Sequence, residues 1–238
     1  LEPFRGQVPD ALFDTPFSLP ATDGSGNMRD NIRTALRLLK EAGWEQRDGV
    51  MTNIATGAPM RFEILIDQPV YERATQPFID RLRQVGIQAS LRRIDTAQMQ
   101  KRRQSFDYDV MPLALAFFPP PGSELRNYFG SAVAGVEGSA NYMGIRNPVV
   151  DALIDKVVAA RDLSSLQVAT RALDRVLLWN RYAILQWGRT DAWVAYWNRF
   201  GQPKTQPTHR FGDPNGIAFP STWWIDPAKD AALTRGGG

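Results

Sequence analysis

The fold turns on "MRFEILIDQPVYERATQPFIDRLRQVGIQASLRRI", residues 60–94. Phe62, Ile64 and Ile66 alternate with their neighbours, the two-residue period of a strand. Tyr71, Ala74, Phe78, Leu82 and Val85 then recur at helical steps on one face. Pro77 lies inside that pattern, so the helix either begins near Gln76 or is kinked there. Gly86 closes it, and "IQASLRRI" reads as a second strand. Strand, helix and strand in so short a span make a βαβ unit.

Toward the amino terminus, "MRDNIRTALRLLKEAGW" places Ile32, Ala35, Leu36, Leu39 and Ala42 on a helical stripe. Gly43 stands where a left-handed cap belongs. Residues 1–27 are rich in Pro, Gly and Asp and read as an extended segment with turns. Toward the carboxyl terminus, "DTAQMQKRRQ" opens with Asp95 and has Gln98 three residues on, a capping-box spacing. "DYDVMPLALAFF" supplies a third strand, and Pro112 within it argues for an edge or a bulge.

The second half reads as helical. Asn147 is a cap and Pro148 a first helical residue, followed by an apolar face of Val150, Leu153, Ile154, Val157 and Val158. Leu166, Ala169, Leu173, Val176 and Leu177 repeat the pattern. "AILQW" and "DAWVAYW" alternate like strands. Residues 198–220 form a long polar connection, uncommon inside one compact unit, that ends in "TWWID".

Composition excludes several classes. The chain has 238 residues, 43% hydrophobic and 22% charged, enough for a real core. A net charge of +3 is too weak to argue by itself for a nucleic-acid or membrane partner. With no cysteine there is no disulfide framework, thiolate metal site or cysteine nucleophile. No apolar run approaches membrane-spanning length. The opening "LEPFRG" has no initiator methionine and no signal-peptide core, as expected of part of a longer protein.

Catalytic chemistry finds little support. His209 is the single histidine and no GxSxG elbow accompanies it. Neither a phosphate-binding loop nor an EF-hand is present. Asp107 and Asp109 share one strand face, which a hydrolase needs and which solvated acids also show. Arg92, Arg93, Lys101, Arg102 and Arg103 form a basic run that reads as a phosphate contact or, more simply, a solvated face. Seven tryptophans, six of them after residue 175, fit either a ligand pocket or a core.

The ordered set "LLKEAGW", "MRFEILI", "LRQVGI", "RRIDTAQMQKRRQSFDYDV", "GSANYMGIRNPVVDALID" and "ATRALDRVLLWNRYAILQW" resembles the carboxyl-terminal lobe of ABC-transporter solute-binding proteins of the oligopeptide/dipeptide family, extracellular solute-binding family 5. "RNYFGSAVAGVEGSANYMGI" resembles its YejA-like branch most, a branch associated with import of peptides and peptide-linked compounds. The resemblance implies an α/β, type II periplasmic-binding-protein-like lobe, with a mixed sheet flanked by helices and incomplete without an N-terminal lobe. It implies a lead-in segment and helix at 1–45, a ligand-binding lobe at 46–197 and a return segment toward the other lobe at 198–238. It further implies a periplasmic receptor with no enzymatic activity and no cofactor or metal. Its partners are then a short peptide or peptide-like ligand, an inner-membrane ABC permease and an N-terminal piece of the same protein bearing the signal peptide, with no nucleic acid. Some members of such families take oligosaccharides or opines, and a carbohydrate-active hydrolase using Asp107 or Glu124 is the competing class.

In relatives the segment after the "FDYDV" strand holds a peptide's amino terminus. Here it reads "FFPPPGSELRNYFGS", and Glu124 is the nearest substitute for the usual acid. Pro119, Pro120 and Pro121 restrict the backbone, so less entropy is lost on binding. Ser123, Glu124, Arg126 and Asn127 offer donors, acceptors and both charges. With Phe118, Asn141, Tyr142 and Trp187 they are the expected ligand-binding residues.

Overall fold

The computed structural model describes residues 1–115, 117, 120–186, 188, 195–205 and 222–235. The chain divides into two compact units, Leu1–Ala114 with Glu124–Tyr182, and Leu115–Ser123 with Ala183–Gly238.

The first unit is built around the βαβ element. β3 (Arg61–Ile66) and β4 (Gln88–Arg93) pair in parallel from Arg61–Gln88 to Ile66–Arg93. The connecting helix α3 (Pro69–Gln84) starts at Pro69, whose missing N–H falls where no helical bond is made anyway. It therefore runs through Pro77 instead of starting beside it. Ile79 of α3 packs on Ile64 and Ile66, with Phe62, Tyr71, Phe78, Leu91 and Val110 around them. Burying each such side chain contributes about 1.5–3 kcal/mol.

A third strand is reduced to one residue. Val110 bridges Ile64 in parallel, its carbonyl accepting from Leu65 N at 2.8 Å and its N–H donating to Glu63 O at 3.2 Å. The Asp109 carboxylate accepts from Glu63 N at 2.9 Å, so a side chain takes the place of the next ladder bond. Beyond Val110 comes Pro112, which has no N–H, and the pairing stops among the described residues.

Ahead of this element lies a hairpin absent from the sequence reading. β1 (Trp44–Arg47) and β2 (Val50–Asn53) pair antiparallel across Asp48 and Gly49. Both turn residues have positive φ, 49° and 79°, the signature of a type I′ turn, which Asp-Gly favours. Helix α2 (Arg29–Glu41) leads in, and Gly43 (φ 83°) adopts the left-handed conformation expected after it. Ile32, Leu36, Leu39 and Trp44 pack with Met51, Val85 and Ile87. Gly86 joins hairpin to βαβ unit, its carbonyl accepting from Met51 N at 2.8 Å. Helix α4 (Thr96–Gln104) follows β4, capped by the Asp95 carboxylate on Gln98 N at 2.9 Å.

The rest of the first unit is helical: α1 (Ala11–Asp14), α5 (Leu125–Phe129), α6 (Pro148–Val158) and α7 (Leu163–Asn180). Asn147 caps α6 through Val149 N at 2.9 Å, and Asp162 with Ser165 forms a capping box on α7. Val149, Val150, Leu153, Ile154 and Val157 interlock with Ala169, Leu173 and Val176, and Leu12 of α1 closes the cluster. Arg175 ties α1 down by donating to the carbonyls of Leu12 and Thr15.

In the second unit, β5 (Phe200–Gly201) pairs antiparallel with β6 (Trp224–Ile225), followed by α8 (Pro227–Arg235). Trp224 lies so close over Gly201 that a Cβ there would clash with its ring. The aromatic runs expected as strands do not form them where described: residues 183–186 and 195–197 are extended or irregular and exposed. Nothing in the chain supplies those residues with a pairing partner among the described ones. Residues 187 and 189–194 lie outside the described residues. Among the described residues no helix is long and apolar enough to cross a membrane.

Candidate functional site

An open cavity of about 240 Å³ sits in the first unit where β3 and β4 end. The carboxyl ends of parallel strands are where α/β folds gather ligands. Asp67 follows the last residue of β3 directly. Thr96, Gln100, Arg103 and Gln104 recur at three- and four-residue steps along α4 and so share a face. Met99 anchors that helix from beneath, 2% exposed.

The remaining wall is the loop at 130–145, with Asn141 at the centre of the side chains that hold it. Asn141 is completely buried. Its Nδ2 donates to the carbonyls of Gly130 and Ile145, both at 3.0 Å, and its Oδ1 accepts from Ile145 N at 2.9 Å. Ser139 donates to Val133 O at 2.9 Å, and Gly138 N donates to Gln104 O at 3.1 Å, which fastens the loop to α4. Tyr108 donates its hydroxyl to Tyr142 O at 2.7 Å. Burial, and then the neighbouring Tyr142, push the Tyr108 phenol above its ordinary pKa. Tyr142 presents its ring toward the Arg103 guanidinium, 5.8 Å from the ring centre, and both line the cavity.

The expected ligand residues are distributed as follows. Tyr142 lines this cavity. Asn141 lies behind it, all its polar atoms engaged by the loop backbone. Arg126 donates to Asp155 at 2.8 Å, a pairing between α5 and α6 that no local spacing announces. Glu124 precedes α5 and its carbonyl accepts from Asn127 N at 2.9 Å; Asn127 is exposed. Ser123 is exposed and falls in the second unit. Phe118 and Trp187 lie outside the described residues. The cavity residues Asp67 and Gln100 escaped the sequence reading, which took Arg103 only as part of the basic run. The available signal was the i, i+4, i+7 polar face of α4, which the basic run around it obscured.

That basic run is largely neutralised. Arg92 faces Glu63 at 3.7 Å and Arg93 faces Glu72 at 3.9 Å. Arg102 contacts Glu63 at 3.4 Å and Asp107 at 3.0 Å. The same contacts place Asp107 and Asp109 in structural roles, one pairing Arg102 and one standing in for a ladder bond.

A βαβ element with a polar cavity at its strand ends is the frame of a ligand-binding α/β lobe. Residues 4–135 match the family described as bacterial extracellular solute-binding proteins, family 5 Middle, and the chain belongs to that family. It is 41% identical over 224 residues to the probable peptide-binding protein YejA of Agrobacterium fabrum, covering 94% of this chain and 36% of the relative. It is 34% identical over 234 residues to the uncharacterized protein YejA of Escherichia coli, covering 98% and 37%. The chain thus spans about a third of the length of these curated relatives. Among solved structures, the oligopeptide-binding protein AppA from Bacillus subtilis, in complex with a nonapeptide, superposes with a TM-score of 0.59 over 89% of this chain and 40% of that one. At 16% identity that likeness speaks for the fold, and it agrees with the periplasmic-binding-protein-like α/β class expected from the sequence.

Proposed function

We propose that this chain forms part of the substrate-binding component of an ABC importer, a periplasmic receptor that takes short peptides or peptide-like compounds in a cleft between two lobes. The observation that carries the reading is membership of the solute-binding family, joined to an open polar cavity at the carboxyl ends of β3 and β4. The peptide-binding relative and the nonapeptide-bound fold neighbour support peptides as the ligand class. The receptor does no chemistry. Ligand shifts an open–closed equilibrium, and the closed form docks on an inner-membrane permease. The second lobe and the signal peptide belong to an N-terminal part of the same protein.

Within this reading Tyr142 touches ligand and Asn141 positions the loop that carries it. Glu124, Arg126 and Asn127 are the further contacts proposed in the first unit. Calorimetry with trialanine, a maltooligosaccharide and an opine tests the assignment. Saturable heat with the peptide alone, and no released product, supports it. Binding of the sugar or the opine in preference, or peptide turnover that Glu124→Gln abolishes, overturns it.

A further inference from the structure

Of the arginines around α4, one guanidinium has no acid to face. Arg92, Arg93 and Arg102 all have carboxylate partners. Arg103 has none among the described residues, and its Nε is sealed from water with no acceptor. The same guanidinium lines the cavity and is steadied by the Tyr142 ring. Asp67 lines the cavity too and forms no ion pair with Arg103. The cavity thus holds a cation and an anion that do not satisfy each other. Gln100 and Gln104 supply amides beside them.

We propose that this cavity is a carboxylate subsite, in which Arg103 takes the terminal carboxylate of the ligand and Asp67 accepts an N–H from the same terminal residue. The guanidinium fork matches a carboxylate geometrically, which an ammonium does not. A volume of about 240 Å³ is below that of pockets holding whole drug-sized molecules, about 300–1,000 Å³, and suits one end group. The proposal deepens, and rests on, the reading of the chain as a peptide-type receptor. It adds that ligands blocked at the carboxyl end are discriminated against.

The test titrates the full chain with trialanine and with trialanine amide, following the arginine Nε–H resonances by NMR. N-acetylglycine and its amide serve as a second probe pair that needs only an end group. Both free acids should move the Arg103 resonance, and amidation should weaken binding about tenfold or more, the scale of a charged hydrogen bond. Arg103→Gln should abolish the difference between acid and amide. Arg103→Lys, which keeps the charge without the fork, should retain part of it, and Arg92→Gln should leave it intact. Circular dichroism of each variant separates loss of binding from loss of fold.

Persistence of the acid preference in Arg103→Gln overturns the subsite and leaves the peptide reading standing. If neither peptide binds while N-acetylglycine still shifts Arg103, the subsite stands and the peptide reading falls. If no probe moves Arg103, the subsite is refuted. A shift that Arg92→Gln removes as readily assigns the effect to general surface charge and refutes it equally.

Discussion

Replacing Asn141 with alanine is the sharpest perturbation available. The side chain is 0% exposed and makes three hydrogen bonds of 2.9–3.0 Å to backbone groups of one loop. Each neutral bond contributes about 1 kcal/mol net, so about 3 kcal/mol is lost at the outset. The carbonyls of Gly130 and Ile145 and the Ile145 N–H then stay buried without that partner, which brings the total to about 3–5 kcal/mol. Domains of this kind have only about 5–15 kcal/mol to lose. The assay is urea denaturation followed by circular dichroism, with hydrogen exchange at the Ile145 amide as a local reporter. Asn141→Asp keeps the acceptor but turns a negative charge toward two carbonyl oxygens. Its deficit relative to wild type should shrink on acidification, as the new carboxyl group takes up a proton. A midpoint shift equivalent to less than about 1 kcal/mol for Asn141→Ala, with an unchanged denaturant slope, would refute the view that this residue holds the loop.

Gly86→Ala should cost about 2 kcal/mol or more by the same assay, because φ is 84° and a Cβ would lie 2.8 Å from Met51 N. Tyr108→Phe removes the bond to Tyr142 O and should cost about 1 kcal/mol while weakening ligand binding through Tyr142. The Asp162 carboxylate is held below its ordinary pKa by the backbone and hydroxyl hydrogen bonds of Ser165. A group whose folded pKa is depressed stabilises at neutral pH and loses that contribution as pH falls through its folded value. The first turn of α7 should therefore loosen in acid, and Ser165→Ala should raise the Asp162 midpoint in an NMR titration.

What the sequence made legible was local. The period of residues 62–66, the caps Asp95 and Asn147 and the stop at Gly86 act over a few residues and appear as expected. The Asp48–Gly49 turn carried an equally local signal, but its flanking strands, "WEQR" and "VMTN", are too polar and short to show a period. The third strand read as longer than it is because apolar composition persists past Val110, whereas its ladder depends on N–H groups that Asp109 and Pro112 interrupt. The cavity was hidden for a different reason. Asp67, Arg103 and Tyr142 are brought together only by the crossover through α3 and by the loop that Asn141 fastens. The pairing of Arg126 with Asp155 likewise spans 29 positions and has no local signature.

β4 borders β3 on one side only among the described residues, and it ends in Arg92 and Arg93. Successive strand residues point to opposite faces, so the pair sets an ion-paired guanidinium above and below the same open margin. Glu63 and Glu72 hold these side chains out, in reach of water. A second copy that tried to extend the sheet would have to strip hydration from both guanidinium groups at once. Arg92 and Arg93, first read as a phosphate contact or a solvated face, thus blunt the open edge of β4 against pairing with another strand.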